Sequence, residues 1–281
     1  MVPSSFACRR IERKDMLIAL AQMPSQADLA TNLRRMEKYT AQAARRKARL
    51  IAFPEMAYFS GPREDAKASS ALFPALHAFF SGLARKYNVG LLPGSVREPG
   101  RGRKFFNTAL AFDAQGREIA RYRKIHLFEA TLPDRKYQEA RDAAAGDAPC
   151  MFEFEDLRVG LAICFDLRFA ELFRALRAEG ADLVLVPSAF TVPTGKAHWE
   201  VLLRARAIEN QVYLGAPALV GTSGSGAEHY GDTLAVDPWG KVLGRRKKGA
   251  GLVFFRYDPT FVKICRKQID CGKSRRHDVF P

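Results

Sequence analysis

Apolar residues along this chain fall into short continuous runs separated by longer stretches with helical spacing. Met16–Gln22 and Leu50–Phe53 are apolar almost throughout, and each predicts a strand buried on both faces. Between them, over Asp28 to Arg49, Leu29, Leu33, Met36, Ala43 and Ala44 lie at helical spacing under a basic face, which predicts a surface helix. A second helix is predicted over Phe73–Tyr87, then a strand from Val89 to Ser95. Strands at 105–112 and 117–122 are joined by Asp113-Ala-Gln-Gly116, a hairpin-like turn. Residues 123–149 have little periodicity and read as a long loop, a kind of segment that tends to carry function. A strand then runs up to Cys164, followed by a helix to about Glu179, a strand over Leu183–Val186 and a helix over 197–210. Strands at 211–218, 230–236 and 251–256 complete the body, with no repeat, linker or low-complexity segment. The class is α/β. A chain of 281 residues, 47% hydrophobic, can bury one large core or two small ones. Its mixture of elements suggests two sheets face to face between helical layers.

Charge and cysteine content narrow the class further. The net charge is +15, densest at Arg45-Arg-Lys47, Arg245-Arg-Lys-Lys248 and Arg275-Arg276. None of these clusters is interleaved with stacking aromatics, so they read as solvated faces and nucleic acid is not an expected partner. The same field would attract a small anion, but bulk charge does not locate a site. No run approaches the length of a membrane span, so no membrane partner is expected. Residues 1–15 lack the apolar core of a secretory signal and read as a short mobile extension. Five cysteines, an odd number without a CxxC pair, argue against a disulfide framework or structural zinc and for the cytoplasm.

Three residues at predicted strand ends carry the chemistry. Cys164 stands in Arg158-Val-Gly-Leu-Ala-Ile-Cys-Phe-Asp-Leu-Arg168, where an apolar run meets a charged, helix-forming segment. A thiol at the start of a helix is biased toward thiolate by the dipole. Glu55 closes Leu50-Ile-Ala-Phe-Pro-Glu55, just past the strand-stopping Pro54. Lys124 follows the alternating stretches Thr108–Phe112 and Glu118–Tyr122. Singly, they read as a core cysteine, a loop acid and one cation among 45. Together they divide a reaction: a cysteine attacks, a carboxylate moves protons, and an ammonium stabilises developing negative charge.

These blocks resemble those of the nitrilase superfamily of carbon–nitrogen hydrolases. "FPEMAYFSG" is similar to the family's glutamate block, "YRKIHLFE" to its lysine block and "GLAICFDLRFAEL" to its cysteine block. "GSVRE", "FNTALAFDAQG", "AGD" at 145–147 and "YGDTLAVDPWGKVL" agree as well, and the similarity runs in order from 16 to 281. Within the superfamily, "TGKAHWEVLLRARAIENQ" and the closing "SRRHDVF" resemble the omega-amidase and deaminated-glutathione amidase branch. The resemblance implies an α-β-β-α sandwich over 16–262 and a tail, 263–281, that packs on a neighbouring subunit of a homodimer or larger assembly. It implies hydrolysis of a primary amide of a small carboxylate-bearing acyl group. Glu55 would shuttle protons and Cys164 form a thioester, with Lys124 and the Phe165 backbone N–H holding the oxyanion. A second glutamate, Glu139 in preference to Glu129, would orient Lys124 and the amide.

Substrate contacts are expected from strand-end loops: Tyr58, Phe165, Phe190, Thr191 and Thr194. Arg168 either binds a substrate carboxylate or, the favoured reading, pairs with Asp166 or Glu171 or supports a subunit contact. His126 and His198 lack a third ligand at suitable spacing and read as structural, with no metal site and no organic cofactor expected. Gly221-Thr-Ser-Gly-Ser-Gly226 reads as a flexible surface turn and not a phosphate loop. The three blocks do not encode the leaving group, so a nitrilase, N-carbamoyl amidase, acyltransferase or aliphatic amidase is the rival. A catalytically silent dimeric interaction protein is a further alternative, opposed by the intact Glu55, Lys124 and Cys164.

Overall fold

The continuous apolar runs become central strands because helices cover one face of each sheet and the other sheet covers the second. The computed structural model describes residues 15–100, 102, 104–132, 136–276 and 278–279, so the expected extension 1–15 lies outside the described residues except for Asp15. The first half runs β1 (Met16–Gln22), α1 (Leu29–Arg45), β2 (Leu50–Ala52), α2 (Arg63–Ala68), α3 (Phe73–Tyr87), β3 (Gly90–Leu92), β4 (Ser95–Pro99), β5 (Phe105–Phe112) and β6 (Glu118–Arg123). Three short strands follow: β7 (Glu129–Thr131), β8 (Lys136–Gln138) and β9 (Ala143–Ala144). The second half contains β10 (Cys150–Phe154), β11 (Leu157–Leu161), α4 (Ala170–Ala178), β12 (Leu183–Leu185), α5 (Val192–Asn210) and β13 (Tyr213–Ala216). It closes with β14 (Val220–Thr222), β15 (Glu228–Tyr230), β16 (Thr233–Val236), β17 (Val242–Arg246), β18 (Gly251–Tyr257) and α6 (Pro259–Gln268).

Both large sheets are mixed. One has the order β18-β1-β2-β3-β5-β4, with β6 and β9 also on β5; the other has the order β10-β11-β12-β13-β16-β17. Three parallel strands, β1-β2-β3 and β11-β12-β13, form the centre of each. Along β1, Ile18 and Leu20 belong to the core shared with Val159, Leu161 and Leu185 of the second sheet. Ala19 and Ala21 face the other way, into a core with Met36 and Ala43 of α1 and Phe80 and Leu83 of α3. Leu172, Phe173 and Leu176 of α4 and Leu203 of α5 cover the second sheet. The result is the expected α-β-β-α sandwich. Gly215 of β13 lets the sheets close: a Cβ there would stand 2.8 Å from Leu185 and 3.2 Å from Leu20 of the facing sheet. Each leucine buried in that layer is worth roughly 2 kcal/mol.

Several expected boundaries move. The predicted strand over 89–95 is two strands, broken at Gly94, whose φ is +84° and whose Cβ would lie 1.8 Å from the Pro54 carbonyl oxygen. That close approach seats the loop leading to Glu55. The strand expected to run up to Cys164 ends at Leu161, and a 3₁₀ turn (Cys164–Arg168) precedes α4. The glycine-rich segment at 221–226 is pinned: Gly224 N–H donates to Ser25 O at 3.0 Å, and its missing side chain makes room for the Ser60 carbonyl. Arg245, expected on a solvated face, is bonded to Asp232 and Glu200. The expected boundary at 263 falls inside α6, whose Val262 and Cys265 are buried against this chain's own body. Arg266 holds Asp182, and Gln211 holds the Cys265 carbonyl. No helix among the described residues is long and apolar enough to cross a membrane.

Candidate active site

Glu55, Lys124, Glu139 and Cys164 all line one cavity of about 450 Å³. Glu55 follows β2, and Lys124 is the first residue after β6. The lysine strand is anchored by two backbone bonds, Lys124 N–H to Asn107 O and Gly146 N–H to Lys124 O, each 2.8 Å. Gly146, in the 145–147 stretch, fits because a Cβ there would meet the Arg123 carbonyl at 2.2 Å. Glu139 opens a 3₁₀ turn after β8. The Lys124 ammonium donates to Glu55 Oε1 and to Glu139 Oε2, both at 2.9 Å. An ammonium has three protons, so one stays available for a ligand.

Cys164 is 8% exposed and has φ +47°, a left-handed conformation uncommon for a residue with a Cβ. Its N–H is held by Pro187 O at 2.9 Å, which helps to fix that conformation. Burial, and then the nearby Glu55 carboxylate, push the thiol well above its ordinary pKa of 9.0, against the pull of Lys124. The helix-dipole expectation of a resting thiolate is therefore corrected. Cys164 opens a short 3₁₀ turn, not an α-helix, and the nearby Glu55 carboxylate disfavours a negative charge on its sulfur. The geometry favours a thiol whose proton leaves to Glu55 as substrate arrives. Burial alone would depress Lys124, but Glu139 and Glu55 hold it well above 10.5 and fully charged. Burial would raise Glu139, and Lys124 overrides this and keeps it below 4.5. Because the Glu55 charge raises the thiol, Glu55→Gln should shift the pH profile of Cys164 alkylation by iodoacetamide to lower pH. An unchanged or upward shift would show that Glu55 does not act on the sulfur.

Two further residues organise the site. Asn107, mid-strand in β5, donates its Nδ2 to Glu55 at 2.8 Å and to Glu139 at 3.0 Å, holding two like charges on either side of Lys124. Asp166 ties the cysteine turn to the lysine loop: it accepts from Tyr122 Oη at 2.7 Å, Ile163 N at 2.8 Å and His126 N at 3.0 Å. Asn107 lies inside the "FNTALAF" stretch, where a buried polar residue in an apolar run was the available signal. Asp166 gave none beyond its neighbourhood to Cys164.

The remaining expected residues divide. Phe165, Phe190, Thr191 and Thr194 line the cavity, with the two threonine hydroxyls bonded to each other at 2.7 Å. Phe165 is the second residue of the 3₁₀ turn, ahead of that turn's Asp166 N–H to Ile163 O bond, where N–H groups lack a partner inside the turn. Tyr58 is not a cavity residue: it is fully buried beneath α2, its hydroxyl 2.9 Å from Ser69. Glu129, the less favoured acid, sits in the β7–β8 hairpin and accepts from Ala140 N. Arg168 does not pair with Asp166 or Glu171. It lines the cavity with its guanidinium over the Phe165 and Phe190 rings, 3.3 Å from His198 Nδ1. Burial lowers its pKa from 12.5, and no carboxylate among the described residues compensates. His126, stacked on Phe169 at 3.7 Å and bonded to Asp166, is a packing residue.

A buried cysteine sharing a cavity with a carboxylate and with an ammonium that keeps one free proton defines a site for attack on a carbonyl carbon. The model of the carbon-nitrogen hydrolase family matches residues 17–262, and the chain belongs to that family. It is a cysteine-dependent, amide-cleaving enzyme of the nitrilase superfamily. It is similar to the deaminated glutathione amidase of Synechocystis sp., 37% identical over 95% of this chain and 99% of that protein. The omega-amidase of Homo sapiens is 31% identical over 94% of this chain and 96% of its own length. Among solved structures, a glutamate-to-glutamine mutant of the amidase from Nesterenkonia sp. matches with a TM-score of 0.81 and 27% identity, over 94% of this chain and 95% of that one. It shows the acetamide moiety of fluoroacetamide added covalently at the active-site cysteine.

Proposed function

We propose that this enzyme hydrolyses a primary amide of a small acyl group bearing a carboxylate, through a thioester on Cys164. The observation that carries the reading is Lys124 Nζ, held 2.9 Å from both Glu55 and Glu139 in the cavity that Cys164 lines. Glu55 takes the thiol proton and the sulfur attacks the carbonyl carbon. The third ammonium proton of Lys124 and the Phe165 N–H stabilise the oxyanion. Glu55 gives its proton to the nitrogen, the C–N bond breaks and ammonia leaves. The same glutamate then takes a proton from water, whose oxygen attacks the thioester to release the acid and restore the thiol. Glu139 keeps Lys124 charged and in place, and Asn107 fixes both carboxylates.

The carboxylate preference is supported by Arg168, an aromatic-flanked cavity cation without an acidic partner, and by the names of the two curated relatives. A steady-state panel tests it: alpha-ketoglutaramate, succinamate, deaminated glutathione, neutral butyramide and a simple nitrile. Higher kcat/KM for the carboxylate-bearing amides is expected. Equal or better rates on butyramide or the nitrile would move the enzyme to an aliphatic amidase or nitrilase role. The same proposal takes the protein to be a cytoplasmic homodimer. The four described cysteines, all free thiols, suit a reducing compartment. Val201 and Ile208 on the outer face of α5, and Trp239 beside it, are exposed apolar residues suited to a subunit contact.

A further inference from the structure

Arg97 of β4 lines the same cavity from the other wall, and the reaction above does not use it. It lies directly across the β4–β5 ladder from Asn107, the residue that touches both Glu55 and Glu139. Cross-strand partners have Cβ atoms about 5 Å apart. The guanidinium also stands over Phe105, two residues from Asn107 on the same sheet face, at 5.5 Å from the ring. Arg97 is thus one side chain away from the reacting groups.

Its partners are all neutral. Nη1 reaches the Tyr58 hydroxyl at 3.2 Å and Ser69 Oγ at 3.3 Å, both long for hydrogen bonds to a cation. Nε is sealed from solvent with no acceptor. No carboxylate among the described residues pairs with Arg97. Its cavity neighbour Arg63 differs, being held on two nitrogens by Asp142 at 2.7 and 2.5 Å. Glu98, next along the strand, is consumed by Arg121 and Arg123. A half-buried guanidinium with a rigid aromatic backing and no counter-charge is built to take an anion from outside the chain, and a carboxylate matches its fork.

We infer that Arg97 is a receptor for a substrate carboxylate remote from the scissile carbonyl, separate from Arg168 at the end of the cysteine turn. The inference rests on the substrate class proposed above and adds the residue that reads it. A purely structural role, bracing Tyr58 and Ser69, would slow all amides alike. The informative quantity is therefore the ratio of kcat/KM for succinamate and glutaramate to that for butyramide, measured in the wild type and in Arg97→Gln, Arg97→Met and Arg97→Lys. The expected result is a fall in this ratio of about tenfold or more in the Gln and Met variants, carried by KM, with the Lys variant retaining most of it. If the wild type prefers the anionic amides and either neutral variant keeps the ratio within about threefold, the assignment to Arg97 is overturned and the substrate class stands. If the wild type shows no preference, the substrate class fails and the receptor falls with it.

Discussion

Cys164→Ala is expected to lower amide turnover by about a thousandfold or more, with the thermal unfolding midpoint little changed. The substitution deletes one sulfur from a residue whose backbone is pinned by Pro187, and the surrounding core contacts are made by other residues. Glu55, Lys124 and Glu139 remain in place but have no nucleophile to activate. Circular dichroism melts run beside ammonia-release assays separate the two quantities. Turnover within about tenfold of wild type would mean that water or another thiol attacks the amide directly.

Lys124→Met should lower kcat by roughly a hundred- to a thousandfold, with a smaller change in KM, because the oxyanion forms only after substrate is bound. Stability should also fall, by about 3 to 5 kcal/mol, since two carboxylates that share one ammonium at 2.9 Å would be left facing each other in a buried site. A second substitution separates these effects. Adding Glu139→Gln removes one of the opposed charges, so Lys124→Met with Glu139→Gln should regain stability and not activity. Recovery of both would show that Lys124 acts only as a structural counter-ion. Steady-state kinetics and denaturant melts on the wild type and these two variants provide the comparison.

Much of this site was legible because its three principal groups sit at strand ends, where an apolar run gives way to a single polar residue. The β2 run to Glu55, the β6 alternation to Lys124 and the β11 run toward Cys164 each carry that signature. The parallel centres of both sheets were legible for the same reason, since strands covered on both faces are apolar throughout. Local pattern could not resolve how Cys164 is presented. A 3₁₀ turn and the first turn of an α-helix share their short-range spacing, and a left-handed cysteine is imposed by tertiary bonds. Edge strands were harder still. β17 is half-exposed and its Arg245-Arg246 end reads as a charge cluster until Asp232 and Glu200 are brought to it from elsewhere in the chain. Tyr58 shows the opposite error: proximity to Glu55 in sequence suggested the cavity, but the turn after Glu55 carries the ring inward to Ser69. Asn107 and Arg97 acquire their meaning only from the β4–β5 register, a pairing that no single segment encodes.

The covalent role of Cys164 is tested most directly by rapid-quench mass spectrometry of the wild-type enzyme with a slowly turned-over amide. The account predicts an adduct with the mass of the acyl group, located by proteolysis to the peptide containing Cys164 and absent from Cys164→Ala. An adduct on Cys150, Cys265 or Cys271, or ammonia release from Cys164→Ala at the wild-type rate, would contradict it.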